Sequence, residues 1–187
     1  MTIYSQDGTV LRRGDWMQTY TGRAFWPLDP RPEDVCIEDI AHSLSMQARY
    51  AGHGKRFYSV AEHCVHVSAH CSPENALWGL LHDASEAYLV DVPRPLKRHL
   101  PGYVEAEARV MAAICDAFGL PHEMPVEVHE MDNRILADEI RQNMAPMNWH
   151  AEHDDPLGVG LHFYTPGIGE SVFLYVFHRL TRQRAAA

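Results

Sequence analysis

Residues 80–91 read Leu80-Leu81-His82-Asp83-Ala84-Ser85-Glu86-Ala87-Tyr88-Leu89-Val90-Asp91. The segment has the apolar spacing of a buried helix, yet it carries an adjacent His-Asp pair and two further acids. Charged side chains are rarely buried unless they are paired or bind a metal ion. We therefore interpret His82-Asp83 as part of a metal site that other segments of the chain complete.

Helical spacing of apolar residues extends over most of the chain around this segment. It predicts helices at residues 37–50, 59–71, 72–89, 101–118, 125–144 and 169–182. Ser59-Val60-Ala61-Glu62 is a capping-box pattern, in which the Ser hydroxyl and the Glu carboxylate each bind a free amide of the first turn. The predicted fold class is all-α, a bundle of about six helices.

The N-terminal 36 residues are the least helical part of the chain. Thr21-Gly22 lies between Met17–Tyr20 and Arg23–Trp26, a pattern that predicts a short hairpin. Because a two-stranded ribbon is marginal alone, it must pack on the helical body. We expect a single domain over residues 1–187, with an appendage at 1–36, the metal-site core at 37–140, and an irregular loop and C-terminal helix at 141–187.

Composition limits the classes of partner and compartment. Hydrophobic residues make up 46% of the chain, and the formal net charge of -9 argues against binding polymeric nucleic acid. No apolar run reaches the roughly 18 residues that span a membrane. The polar stretch 1–14 does not resemble a secretion signal. We expect a cytoplasmic protein whose four cysteines are reduced thiols.

His82 and Asp83 point about 100° apart on a helix, so further ligands must come from other helices. His63, His66 and His70 share one face of the preceding helix. We favour His63, with His66 and His70 as alternatives.

A later acid would complete the set. Asp132 is favoured over Asp138, which lies near Glu139 and Arg141 and is interpreted as part of a solvated face. A site of two His and two Asp suits a divalent ion such as Mn, Co, Zn, Fe or Mg. The loop residues His150, His153, Asp154 and Asp155 are interpreted as solvated.

Two further acids and several cations accompany the predicted ligands. Glu86 lies one helical turn from His82-Asp83, and Asp91 lies where the helix ends. Either acid could supply a proton to a leaving oxygen. The candidate phosphate-binding cations are Lys55, Arg56, Arg94 and Lys97.

His63, His82-Asp83 and Asp132 follow one another in the order His…His-Asp…Asp, which resembles the HD-domain metal-dependent phosphohydrolases. Three longer blocks are similar to those of the bacterial 5'-deoxynucleotidases of that superfamily. They are Val60-Ala61-Glu62-His63, His82-Asp83-Ala84-Ser85-Glu86 and Asp91-Val92-Pro93-Arg94-Pro95-Leu96-Lys97. The resemblance covers about residues 37–140.

The resemblance implies an HD-domain helical bundle with His63, His82, Asp83 and Asp132 as metal ligands. It implies that Glu86 and Asp91 are catalytic acids beside the metal. Arg49-Tyr50 is nearest to the pair that contacts phosphate and sugar in the family, where Trp is usual in place of Tyr50.

The function expected from the resemblance is hydrolysis of deoxynucleotides, with deoxynucleoside 5'-monophosphates as the leading substrates. One alternative is a triphosphohydrolase that uses the same site on deoxynucleoside triphosphates. A second alternative is a nucleotide-binding module without turnover, which would be expected to lose a ligand or a proton-handling acid. We also expect a homo-oligomer, because the family often forms dimers and the C-terminal helix is apolar.

Overall fold

The computed structural model describes residues 3–4, 10–147 and 155–186. Most of these residues are helical, which confirms a mainly α-helical fold. The helices are α1 (Ile37–Met46), α2 (Val60–His70), α3 (Ala76–Leu81), α4 (Glu86–Leu89), α5 (Arg94–Lys97), α6 (Tyr103–Phe118), α7 (Val126–Asn143) and α8 (Pro166–Ala186). Among the described helices, none has both the length and the apolar character needed to cross a bilayer.

Two small antiparallel hairpins precede the helices. The first pairs β1 (Ile3–Tyr4) with β2 (Val10–Arg12), and the second pairs β3 (Met17–Gln18) with β4 (Ala24–Phe25). The second hairpin was predicted from its Thr-Gly turn, and Gly22 adopts a φ of +82° there. The first hairpin was not predicted.

The second hairpin is attached to the helical body, as its small size requires. Asp39 of α1 accepts hydrogen bonds from the Thr21 amide (2.7 Å) and the Thr21 hydroxyl (3.1 Å). Phe25 is fully buried and stacks on Tyr88, with ring centroids 3.7 Å apart. The second hairpin therefore packs against the segment that carries Glu86 and Asp91.

The core lies where α8 packs against α1, α2 and α3. A second apolar cluster joins α2 and α3 to α6 and α7 below this contact, and its residues are Val67, Trp78, Cys115, Val128, Met131 and Ile135. The second cluster contains residues of α2, α3 and α7 and fixes these helices relative to one another. These three helices position His63, His82 and Asp132.

The helix boundaries differ from prediction around the His-Asp pair. The predicted helix 72–89 is wrong as a single element: α3 ends at Leu81, and residues 82–85 form turns before α4 begins. Backbone hydrogen bonds here join each amide to the carbonyl three residues earlier, as in Ala84 N to Leu81 O (2.9 Å) and Glu86 N to Asp83 O (3.0 Å). This spacing gives a tighter turn than an α-helix. The predicted helix 37–50 also ends early, at Met46, because Gln47 is extended.

The predicted capping box is half correct. Ser59 accepts a hydrogen bond from the Glu62 amide at 3.1 Å. The Glu62 carboxylate, however, turns away from its own helix and accepts the amides of residues 162–164 at 2.7–3.0 Å. Glu62 therefore fastens the loop before α8 to α2.

Candidate metal centre

His63 and His82 meet at the buried end of a cleft. His63 comes from the middle of α2 and is fully buried, and His82 follows the last residue of α3. Their Nε2 atoms are 3.2 Å apart. Gly79 permits this approach, because a Cβ there would lie 3.1 Å from the Ser68 Cα and would push α3 away from α2.

Asp83 and Asp132 each bring one carboxylate oxygen close to the two imidazoles. Asp83 Oδ2 lies 3.2 Å from His82 Nε2 and 3.7 Å from His63 Nε2. Asp132 Oδ1, from α7, lies 3.1 Å from His63 Nε2 and 3.7 Å from His82 Nε2. Each carboxylate thus approaches the Nε2 atoms of both imidazoles.

The outer nitrogens of both imidazoles are already bound. His82 Nδ1 lies 2.8 Å from the Gly79 carbonyl oxygen, which can only accept, so Nδ1 carries a proton. His63 Nδ1 lies 2.7 Å from Glu139 Oε1, and a carboxylate there also favours a proton on Nδ1. In the neutral imidazoles the lone pair is then on Nε2, which points to the shared space.

The geometry and charge of these residues fit a divalent ion. Two atoms each about 2.1 Å from one ion lie about 3.0–3.4 Å apart at octahedral to tetrahedral angles. The separations of 3.1 and 3.2 Å given above fall in this range, and the two of 3.7 Å exceed it. Burial lowers the pKa of His82, but Asp83 and Asp132 raise it more, so that the net pKa is well above its usual value. A site that favours positive charge so strongly on an imidazole would also favour a metal cation. Two groups of side chains could therefore hold a metal ion: His63 with His82 and Asp132, and Cys64 with His82 and Asp83.

The structure brings together the four predicted ligands and separates the alternatives from them. His66 stacks on His162, with centroids 5.6 Å apart, and His70 Nδ1 lies 2.8 Å from the His66 carbonyl oxygen. The interpretation of Asp138 as part of a solvated face is wrong. Asp138 is buried, and its Oδ2 accepts the amides of Leu157 (2.8 Å) and Gly158 (3.1 Å).

The loop interpreted as solvated lies only in part within the described residues. Asp155 is exposed and pairs with Arg134 at 3.0 Å. His150, His153 and Asp154 lie outside the described residues.

A cleft of ≈ 520 Å³ opens beside the two carboxylates, and Asp83 and Asp132 form part of its wall. Glu86 and Asp91 also line this cleft. Burial and the carboxylates of Asp83 and Asp91 raise the pKa of Glu86 to about 9. Burial also raises the pKa of Asp91 above its usual value. Arg49 lowers this pKa, and Asp83 raises it. The cleft thus contains an acid that holds its proton at neutral pH.

Val90 turns the chain sharply between these two acids. Its φ of 69° and ψ of 146° lie outside the regions that β-branched residues usually adopt. Val90 N donates to Glu86 O at 2.8 Å, and the Tyr103 hydroxyl donates to Val90 O at 2.6 Å. Gln47 bridges the two sides of the turn, since its Nε2 donates to Glu86 O and its Oε1 accepts from Asp91 N, both at 3.0 Å. The strained conformation is therefore held from several sides.

Replacing Val90 with Gly should raise the free energy of unfolding by about 1 kcal/mol. Relief of strain contributes roughly 1–3 kcal/mol, and the flexibility of Gly in the unfolded chain costs roughly 0.5–1 kcal/mol. Little burial is lost, because Val90 is 61% exposed. Urea denaturation measures the change. Val104→Gly at an exposed position of α6 is the control and should lower stability. An equal loss in both variants would contradict the assignment of strain to Val90.

Four of the six predicted substrate contacts line the cleft: Arg49, Tyr50, Arg94 and Lys97. Lys55 and Arg56 do not. The Lys55 amide donates to Asn143 O at 2.7 Å, and the Arg56 guanidinium lies 3.8 Å above the ring of Phe163. The structure therefore does not bring Lys55 and Arg56 to the candidate site.

The cations of the cleft are paired with acids. Arg49 Nη1 lies 3.5 Å from Asp83 Oδ2, and Arg94 Nη2 lies 3.6 Å from Asp132 Oδ2. Lys97 Nζ lies 2.7 Å from Glu107 Oε1, outside the cleft lining, and 3.8 Å from Glu86 Oε1.

Two residues of the site were missed by sequence reasoning. Glu139 was named only as a neighbour of Asp138, yet it is fully buried and contacts His63 and Arg49. Its signal was its spacing of seven residues, two helical turns, from Asp132. Gln47, which bridges the turn at Val90, carries no signal in the sequence that would have found it.

No known family model matches this sequence. The chain is 43% identical to the uncharacterized protein YfdR of Escherichia coli over 126 residues, which cover 67% of this chain and 71% of YfdR. It is 41% identical to an uncharacterized protein of Rhodobacter capsulatus over 123 residues, which cover 60% of this chain and 63% of that protein. The share of YfdR that is covered and the level of identity show that the chain belongs to the same family as the uncharacterized protein YfdR.

Proposed function

We propose that this chain is an HD-type, divalent-metal-dependent phosphohydrolase that releases phosphate from deoxynucleoside 5'-monophosphates. The observation that carries the proposal is the convergence of His63, His82, Asp83 and Asp132 at the inner end of a cleft lined by Glu86 and Asp91. Ligands, acids and cleft occur in one place, and the order of the ligands is the one the HD resemblance implies.

The metal would be held by His63 Nε2, His82 Nε2 and one oxygen each of Asp83 and Asp132. When bound, a divalent ion supplies a water of lowered pKa and positive charge beside a phosphate group. The mixed nitrogen and oxygen ligand set suits Mn, Co, Zn, Fe or Mg better than a metal that prefers thiolates.

Glu86 is the residue best suited to hold a proton for the leaving oxygen. The residue is 5% exposed, and its Oε2 makes no hydrogen bond with the described residues. With a pKa of about 9 it is protonated at neutral pH. A cation on Asp83 would offset part of the repulsion that raises this pKa and would move it closer to neutrality, where acid–base catalysis is most efficient. Asp91 lies nearer the rim and is suited to orient the substrate.

The balance of charge in the cleft supports a monophosphate substrate over a triphosphate. Arg49, Arg94 and Lys97 are the cations among the described lining residues, and four carboxyl groups line the same cleft. Each cation already lies near a carboxylate. A triphosphate would bring more negative charge than these residues and one divalent ion can balance.

A substrate screen tests the proposal. Deoxynucleoside mono-, di- and triphosphates, with ribonucleotides alongside, are incubated with Mn, Co, Mg and Zn in turn. Free phosphate, nucleoside and triphosphate are measured as products. We expect phosphate and nucleoside from monophosphates only when a metal is added. Release of triphosphate from a deoxynucleoside triphosphate would favour the triphosphohydrolase instead, and binding without any product would favour a nucleotide-binding module.

A further inference from the structure

We propose that Glu139 is a positioning residue that orients His63 toward the metal ion and binds the Arg49-Tyr50 segment with the same carboxylate. The inference rests on the metal centre of the proposed function. It adds a residue that acts on the site through His63 and not by binding the metal itself.

Glu139 uses both carboxylate oxygens inside the protein. Oε1 lies 2.7 Å from His63 Nδ1. Oε2 accepts a hydrogen bond from Arg49 Nη2 at 3.2 Å and one from the Tyr50 hydroxyl. The side chain is fully buried, and burying a carboxylate is costly unless all of its oxygens are bound. Here the partners that stabilise the charge are the predicted ligand and the predicted substrate contacts.

α7 carries both Asp132 and Glu139, and these two acids contact opposite sides of the His63 imidazole. Asp132 and Glu139 are seven residues apart, so both point from the same face towards α2. Asp132 reaches the Nε2 side of His63 at 3.1 Å, and Glu139 reaches the Nδ1 side at 2.7 Å. The imidazole is held between them. Its Nδ1 is the donor to Glu139, so Nε2 is left to face the metal.

The two histidines differ in what orients them. His82 is oriented by a backbone carbonyl, that of Gly79, which no side-chain substitution removes. His63 is oriented by a carboxylate, which also makes the imidazole a stronger ligand. Glu139 is therefore the side chain through which the metal affinity of the site can be changed without touching a ligand.

Glu139 also fixes the substrate side of the cleft. Tyr50 and Ala51 adopt left-handed φ values of 57° and 50°, which are uncommon for residues other than glycine. The Tyr50 hydroxyl and the Arg49 guanidinium both end on Glu139 Oε2. The strained segment is thus fastened to the carboxylate that orients His63.

Glu139→Gln in the full chain tests the inference, with Asp138→Asn as the matched control. The neighbouring Asp138 is also a buried acid on α7, but its Oδ2 accepts amides of Leu157 and Gly158. Affinity for Mn and Zn is measured by competition with a chromophoric chelator. We expect Glu139→Gln to bind metal about 10- to 100-fold more weakly and Asp138→Asn to keep the wild-type affinity.

A spectroscopic measurement separates positioning from a general loss of structure. In the zinc-loaded protein, the Nδ1 proton of His63 should resonate at lower field in the wild type than in Glu139→Gln, because a carboxylate is a stronger acceptor than an amide. Asp138→Asn should leave that resonance in place. If Glu139→Gln does not fold, Glu139→Asp keeps the charge and should bind metal more weakly than the wild type.

The outcomes separate this inference from the proposed function. Wild-type metal affinity and an unchanged His63 resonance in Glu139→Gln would overturn the role of Glu139 and leave the phosphohydrolase proposal intact. A wild-type protein that binds metal tightly but hydrolyses no nucleotide would refute the proposed function and leave the role of Glu139 standing. A wild-type protein that binds none of the metals would overturn both.

Discussion

Asp83→Asn should remove metal binding and phosphate release together, with activity at least about 10³-fold below the wild type. The Asp83 carboxylate is one of two negative groups in the proposed ligand set, and its Oδ2 lies 3.2 Å from His82 Nε2. A neutral amide keeps the shape but loses the charge that a divalent ion needs. The effect is measured as metal stoichiometry and as initial rate on the best substrate of the screen.

Asp116→Asn is the matched control for Asp83→Asn. Asp116 is on α6, its side chain is 54% exposed, and it pairs with His122 at 2.7 Å outside the cleft. The control should keep the wild-type rate and metal content. Activity of Asp83→Asn close to that of the control would refute the assignment of Asp83 to the metal centre. Loss of metal without loss of activity would refute the metal-dependent mechanism.

Glu86→Gln should lower the rate by about 10²–10⁴-fold and at the same time stabilise the metal-free protein. The loss of rate follows because an amide cannot give up a proton. The gain in stability follows because burial and the charges of Asp83 and Asp91 raise the pKa of Glu86 to about 9. A substitution that lowers the rate and raises the stability together is expected only where a catalytic group destabilises the folded protein.

The sign of the stability effect depends on pH in a defined way. Below the unfolded pKa of 4.5, Glu86 is protonated in both states and contributes no penalty. Between pH 4.5 and about 9 the unfolded chain loses this proton while the folded chain keeps it, so stability falls as pH rises. At about 1.4 kcal/mol per pH unit, the penalty is about 3 kcal/mol at pH 7. Glu86→Gln removes it.

Urea denaturation of the metal-free proteins at pH 5, 6, 7 and 8 measures this effect. The difference in unfolding free energy between Glu86→Gln and the wild type should be small at pH 5 and should grow with each step. Glu123→Gln, at an exposed position, is the control and should show no such growth. A constant or shrinking difference for Glu86→Gln would contradict the raised pKa of Glu86.

Local features of the fold were predictable because neighbouring residues suffice to produce them. Thr21-Gly22 needs only a positive φ at glycine to form its turn, and Gly119 ends α6 with a φ of +64° for the same reason. Ser59 caps α2 through an amide three residues away. The helical spacing of apolar residues also gave α6 and α7 close to their observed bounds.

The contacts that were not predicted are those that join distant parts of the chain. Glu62 has the sequence of a capping-box residue, but three amides of residues 162–164 offer its carboxylate more hydrogen bonds than its own helix does. Neither Pro nor Gly lies between α3 and α4, so the break between these helices could not be predicted from a helix-breaking residue. Glu139 looked like one more charge on a surface helix because its partners, His63 and Arg49, are 76 and 90 residues away.

The sequence by itself determined that two candidate metal ligands and two acids lie close together in the chain. His82, Asp83, Glu86 and Asp91 are close in the chain, so their backbone positions stay close together in the fold. Only the tertiary structure decided that His63 and Asp132 approach His82 while His66 and Asp138 contact other residues. That choice depends on how α2, α3 and α7 pack against shared apolar clusters, because a ligand must arrive within a few tenths of an ångström and no local pattern fixes the distance between helices.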